Sequence, residues 1–309
     1  MSLTVLRTAD AWYVATPADA AKIPTTATTT AELLADRAAI AAAGPFADRV
    51  EDLELVSPVT APCRVVAQMT NFASHVTDAG MDPKTVPLTF FRKASGSIGG
   101  PFDEVVKPAH VRLLDYEVEI GLVIGREIPV GSDITALEEC VAGLVVTNDV
   151  SARDIQLPQT QFYEAKSYPT FTPAGPALVL LEADELKRFA DLRLRLSVNG
   201  TVRQDAVVGD DMIYRPLEAL QALTRFQRLD PGDLVLTGTP AGTALSAPPK
   251  LVEKIAALLP PALKWKLFFK GQAKNPKYLA DGDVVEATVA TDDGALDLGT
   301  QRTVVRYRR

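Results

Sequence analysis

The stretch Asp115-Tyr-Glu117-Val-Glu119-Ile-Gly-Leu-Val-Ile124 decides how this chain is read. Its β-branched and apolar content predicts a strand. Alternation puts Asp115, Glu117 and Glu119 on one face, with Tyr116, Val118 and Ile120 on the other. The apolar continuation to Ile124 argues that the strand is central. Carboxylates side by side on one strand face repel each other. A central strand tolerates such a cluster when a cation neutralises it. Oxygen donors of this kind suit Mg²⁺, Mn²⁺ or Ca²⁺ rather than zinc. An edge strand carrying solvated acids is the other reading of the same residues.

Outward along the chain, a second apolar run, Leu144-Val-Val-Thr-Asn148-Asp149, ends in an acid. Strand ends are common places for ligands, although Asp149 also suits a turn or a cap. Ser151 with Asp154 three residues on resembles a capping box. Arg153 and Gln156 would share one face of the helical turn that follows, and an arginine offers a planar fork matched to a carboxylate.

Short β-rich runs bounded by Gly, Pro, Asn or Asp dominate beyond residue 62, and helices look few: Ala136 to Cys140, Pro216 to Phe226, and a pair after Pro249. Asp230-Pro-Gly-Asp233 and Asp281-Gly-Asp283 read as tight turns that launch strands. Asn199-Gly200 reads as a type I′ hairpin turn. Thr30 is the expected N-cap of an alanine-rich helix from Ala31 to Ala43, and Ser57 to Pro62 reads as a linker. The fold class expected is α+β: a mixed β-roll or barrel with peripheral helices over residues 63–309, preceded by a small α/β lead-in over residues 1–60.

With 309 residues and 47% apolar content, the chain can bury a sizeable core. The formal charge of −7 argues against nucleic acid and against anionic lipid. No apolar run is long enough to span a bilayer, and the opening residues do not read as a signal peptide, so a cytoplasmic enzyme is expected. Cys63 and Cys140 have neither ligand nor disulfide spacing and read as small core residues. No glycine-rich phosphate loop is present.

Several of these stretches, taken together, resemble the fumarylacetoacetate hydrolase family. They are Asp115-Tyr-Glu-Val-Glu119, Asn148-Asp-Val-Ser-Ala-Arg-Asp-Ile-Gln156, Lys166-Ser-Tyr-Pro-Thr-Phe-Thr-Pro-Ala-Gly-Pro176 and Thr237-Gly-Thr-Pro240. Asn71-Phe-Ala-Ser-His75 is similar to the family's Asn-aromatic-x-x-His motif, and Phe91-Arg-Lys93 with Ser97-Ile-Gly-Gly-Pro101 to its Lys and Ser-rich loop. The resemblance runs from about Val65 to Val304 in the family's order. It implies a β-roll catalytic domain, a homodimer and one Mg²⁺ or similar ion on Glu117, Glu119 and Asp149. It also implies substrate contacts from Arg153, Gln156 and Thr239, and catalytic roles for Lys166 and for His75 with Asp78. There are departures. The acid three residues after the motif histidine is usually Glu, and Asp78 is one methylene shorter. Phe72 stands where Tyr is commoner. The segment Lys250 to Lys270 reads as an insertion forming a lid or dimer-edge helix.

The activity expected is cleavage of a carbon–carbon bond in a 2,4-diketo acid, an acylpyruvate or fumarylacetoacetate-like carboxylate, with the ion as Lewis acid and His75 as general base. The same enolate chemistry would also serve an oxaloacetate-type decarboxylase or a hydroxydienedioate isomerase. A catalytically idle metal-stabilised scaffold is the reading from another class. His110 lacks an acidic neighbour in sequence and reads as structural or exposed.

Overall fold

The computed structural model describes residues 2–245 and 259–308. The decisive strand runs Val118–Ile124, and all seven residues are buried. It lies between Val141–Asn148 and Leu234–Leu236, antiparallel to both, so it is central. These strands belong to a ten-stranded mixed sheet. Its order is Asp48–Arg49, Asp19–Lys22, Trp12–Ala15, Leu3–Arg7, Leu178–Leu180, Val141–Asn148, Val118–Ile124, Leu234–Leu236, Val65–Gln68 and Phe90–Lys93. Leu234–Leu236 and Val65–Gln68 run parallel. A second sheet has five strands: Thr201–Val207, Leu192–Val198, Val284–Thr291, Asp297–Tyr307 and Glu104–Lys107. The class is α+β as expected, but the sheets stay open and do not close into a barrel.

The period-2 pattern explains how the sheets are covered. Leu192, Leu194, Leu196 and Val198 point inward from one strand, while Arg193 and Arg195 point out to bond Asp205. The inward leucines share one apolar cluster with Val118, Ile120, Leu122 and Ile124 of the large sheet. The alternate residue Val123 joins a second cluster with Val145, Leu234 and Leu236, covered by Leu33, Leu34 and Ile40 of the lead-in helices. The large sheet is thus buried on both faces, which accounts for its near-continuous apolar strands. Gly121 sits at a tight point of this sheet. A Cβ there would meet Val145 at 2.7 Å, Leu234 at 2.8 Å and Thr147 at 2.9 Å.

Several local expectations shift. The lead-in helix starts at Thr30, capped by Thr29, with Glu32 closing the capping box from within the first turn. It breaks at Asp36, whose side chain accepts from the Ala39 amide and caps a second helix, Arg37–Ala41. Ser57, Pro58 and Val59 are buried, and the Thr30 hydroxyl donates to the Pro58 carbonyl at 2.8 Å, so the first half of the expected linker is packed, while Ala61 and Pro62 are exposed. The Asn199-Gly200 turn has φ of 51° and 75°, as a type I′ turn requires. Gly232 and Gly282 take positive φ in the two strand-launching turns. Ala136 to Cys140 holds only a 3₁₀ turn, Leu137–Glu139, while Pro216–Thr224 is helical as read. Of the pair after Pro249, the helix Pro261–Gln272 is present, and the part of the insertion at residues 250–258 lies outside the described residues. Among the described residues no helix is long and apolar enough to cross a membrane.

Gly121→Ala should lower unfolding free energy by about 1–3 kcal/mol through overpacking. Urea denaturation checks this, and an unchanged midpoint would contradict the central placement of the strand.

Candidate active site

The strand that carries the acids begins at Val118, later than the alternation pattern suggested. Leu114–Asp115 forms a separate two-residue strand with Ser151–Ala152. Glu117 therefore sits in the step between two ladders. The Asn148 side chain accepts from the Glu117 amide at 2.9 Å, and the Asp149 amide donates to the Glu117 carbonyl at 2.8 Å. These two bonds draw Asp149, at the end of the neighbouring strand, alongside Glu117. Glu119 enters from the next turn of the pleat. The carboxylate oxygens of Glu117, Glu119 and Asp149 lie within 4.8 Å of one another, all buried.

Asp115 stands apart from this triad. Its oxygens accept from the amides of Tyr116, Ala244 and Leu245 at 2.9, 2.8 and 3.1 Å, and from Arg153 Nε at 2.8 Å. It is an anchor for the loop that follows Gly242.

Three buried cations answer the acids. Lys166 Nζ donates to Glu117 at 2.6 Å and to Asp149 at 2.5 Å. Lys93 Nζ holds the other Asp149 oxygen and the Phe171 carbonyl. Arg153 spreads its fork over Asp115, Glu117 and Gln156. Burial raises the Glu117 carboxyl, but Arg153 and Lys166 outweigh it and hold the group far below the usual carboxylate range. Burial lowers Lys166 and Arg153, yet their acidic partners keep both above their ordinary values. Lys93 stays below its ordinary value because its complete burial outweighs Asp149.

Glu119 is the member without a cation. One oxygen accepts from the Gly238 amide at 2.6 Å, and the other has no partner among the described residues. Burial, then Asp149 and Glu117, push its carboxyl well above the usual range. Four acids against three cations leave the cluster with one negative charge in excess when all are ionised. A divalent ion would turn that excess into one net positive charge. The donors are hard oxygens, they converge, and one lacks a counter-charge, so the residues fit Mg²⁺, Mn²⁺ or Ca²⁺.

The triad opens into a cavity of about 730 Å³. Glu117, Glu119, Arg153, Gln156, Lys166, Thr239 and His75 all line it, so every predicted site residue except Asp149 and Asp78 meets the same space. Asp149 lies behind Lys166. Gln156 gives its oxygen to Arg153, and its amide nitrogen has no bond among the described residues. The Thr239 hydroxyl donates to the Val118 carbonyl at 2.9 Å and accepts from Gln204 at 2.8 Å, so its proton is already committed. Ser151 bonds the Asp149 carbonyl and Asp154 takes the amides of Arg112 and Leu113, which leaves the expected capping box unformed.

His75 sits on the helix Ala73–Asp78. The start of that helix is clamped by Asn71, which bonds the Thr237 and Tyr214 carbonyls at 2.8 and 3.1 Å, and by Ser74 on Asp211 at 2.6 Å. Burial lowers the imidazole below its ordinary value, against the pull of Glu117. Its Nδ1 is buried and has no hydrogen-bond partner, while Asp78 is exposed at the end of the helix. No bond joins the two among the described residues. His110 is exposed and bonded to the Tyr168 hydroxyl at 2.7 Å.

Lys93 and Gly238 are contributors that the sequence reading left without a role. Lys93 was visible as the inward member of Phe91-Arg-Lys93, since alternation puts it on the side of Phe91. At Gly238, φ is +86° and a Cβ would meet the Asn71 Cβ at 2.8 Å, so the amide can reach Glu119 only because the residue is glycine.

The sequence profile of the fumarylacetoacetate hydrolase C-terminal family matches residues 64–306. The human mitochondrial oxaloacetate tautomerase FAHD2A is 36% identical over 229 residues, covering 72% of this chain and 70% of that protein. The 2,4-didehydro-3-deoxy-L-rhamnonate hydrolase of Sphingomonas sp. (strain SKA58) is 35% identical over 80% of this chain and 75% of its own. Among solved structures, a probable 2-hydroxyhepta-2,4-diene-1,7-dioate isomerase from Mycobacterium abscessus superposes with a TM-score of 0.75 at 28% identity, covering both chains in full.

Lys93→Met should destabilise the metal-free protein by about 3–5 kcal/mol, because it strips a buried carboxylate of a partner. Denaturant unfolding without and with Mn²⁺ checks this. A loss under about 1 kcal/mol in the metal-free protein would contradict the charge balance described above.

Proposed function

The chain belongs to the fumarylacetoacetate hydrolase family, and we propose that it is a divalent-metal enzyme that interconverts the keto and enol forms of a small 2-oxo carboxylate. The observation that carries this reading is a half-buried imidazole that lines the same cavity as the triad, with a buried Nδ1 that has no hydrogen-bond partner and no acid paired to it among the described residues. The similarity to oxaloacetate tautomerases is in keeping with it.

Glu117, Glu119 and Asp149 would hold the ion, which when bound supplies Lewis-acid polarisation of the 2-oxo group. The chain's own residues supply the rest. Arg153 spends three of its five N–H donors on Asp115, Gln156 and Glu117. Lys166 spends two of its three on Glu117 and Asp149. The remaining donors, with the Gln156 amide, grip the substrate carboxylate and any charge that develops on the 2-oxygen. Neutral His75 takes a proton from carbon 3, and the imidazolium returns a proton to the 2-oxygen. The net change is one proton moved from carbon to oxygen, with nothing lost. This shift needs a neutral base, and burial keeps His75 neutral to lower pH than an exposed imidazole. A homodimer is part of the same proposal, from the family resemblance.

A second reading is hydrolysis of a 2,4-dioxo acid, favoured by the similarity to the Sphingomonas hydrolase. It asks His75 to activate water. A His–acid pair does this best, and Asp78 does not form one here.

His75→Asn should lower the metal-dependent rate of oxaloacetate enol–keto interconversion by about two to four orders of magnitude. Ultraviolet absorbance of the enol checks the rate, and a pyruvate assay on an acylpyruvate checks hydrolysis. An unaffected tautomerisation rate would remove His75 from the reaction. Pyruvate release at a rate exceeding tautomerisation would favour the hydrolase.

A further inference from the structure

The cavity is large for a four-carbon acid. Its volume of about 730 Å³ falls among pockets that enclose drug-sized ligands. Its polarity is also lopsided. The cations that line it, Arg153 and Lys166, both stand at the triad. The remaining wall is largely apolar, with Met81, Val86, Leu157, Phe162, Leu245 and Phe268. A second carboxylate placed against that wall would find no cation among the described lining residues, and Asp82 would repel it.

Phe268 comes from the inserted helix Pro261–Gln272, and its position is built rather than incidental. Phe269 lies under the Arg112 guanidinium at 5.5 Å, and Arg112 bonds Asp154, the neighbour of Arg153. Past the end of the helix, Asn275 bonds the Ala244 carbonyl at 2.8 Å, and Tyr278 bonds Gln272 at 2.9 Å. Trp265 and Phe269 pack edge-on against Phe268, with ring centroids 5.9 and 5.6 Å away. The helix is thereby tied to the segment that carries the substrate arginine, and one of its aromatic rings faces the cavity.

We infer that this site takes 2-oxo monocarboxylates with a bulky apolar tail, and that Phe268 is the residue that selects the tail. The inference rests on the proposed reaction for its 2-oxo carboxylate end. The tail end rests on the cavity alone.

The test is binding and turnover by the Mn²⁺-loaded protein of three enolisable 2-oxo acids: phenylpyruvate, pyruvate and oxaloacetate. Calorimetry should give phenylpyruvate an affinity at least about tenfold above pyruvate and oxaloacetate. In Phe268→Ala the ratio of phenylpyruvate to pyruvate affinity should fall about tenfold. Phe268→Leu, which keeps an apolar side chain, should retain most of it and guards against a loss of folding. Selective binding of phenylpyruvate without tautomerisation would overturn the proposed reaction and support the tail subsite. Turnover of oxaloacetate with no preference for the phenyl tail would overturn the tail subsite and leave the reaction standing. An unchanged affinity ratio in Phe268→Ala would remove Phe268 from selection.

Discussion

Buried like charges organise this molecule. Glu117, Glu119 and Asp149 converge within 4.8 Å, all three buried. Such a cluster is costly in a low-dielectric interior unless cations answer it. Lys93, Lys166 and Arg153 answer most of it, each buried itself and each bonded to a member of the cluster. The arrangement resolves in one of two ways: a proton on Glu119, or a cation beside it. With a divalent ion held there, as proposed, the cluster would become positive and receptive to a carboxylate.

The rest of the fold can be understood as support for that cluster. The large sheet is covered on both faces, which fixes the strand ends where the acids stand. Two side-chain amides do the fine positioning. Asn148 takes the Glu117 amide where the ladder is interrupted, and Asn71 clamps the Thr237 loop so that Gly238 can reach Glu119. Asp115 draws the Ala244 loop and Arg153 together. Removal of any of these would displace a carboxylate or a cation without touching the cavity itself.

Much of this was legible in the sequence, for physical reasons. A run of acids interrupting an apolar strand violates ordinary burial, and the violation itself pointed to a site. The turns at Asn199-Gly200, Asp230 to Asp233 and Asp281 to Asp283 were readable because each needs a positive φ that glycine or asparagine supplies. What was not legible depended on distant partners. Alternation gave Asp115 and Glu117 the same standing, yet a break in the ladder made one an anchor and the other a member of the triad. The family resemblance suggested a pair of His75 and Asp78, but the helix turns one towards the cavity and the other to solvent. Asp36 split a helix that composition alone would have continued.

The central claim is that the three carboxylates form one cation site. Crystals of the protein grown with Mn²⁺, measured for anomalous scattering, test it most directly. A single strong peak per chain is expected within about 2.0–2.6 Å of oxygens from Glu117, Glu119 and Asp149. A peak elsewhere, or none there at millimolar Mn²⁺ with Lys166 still bridging Glu117 and Asp149, would contradict it.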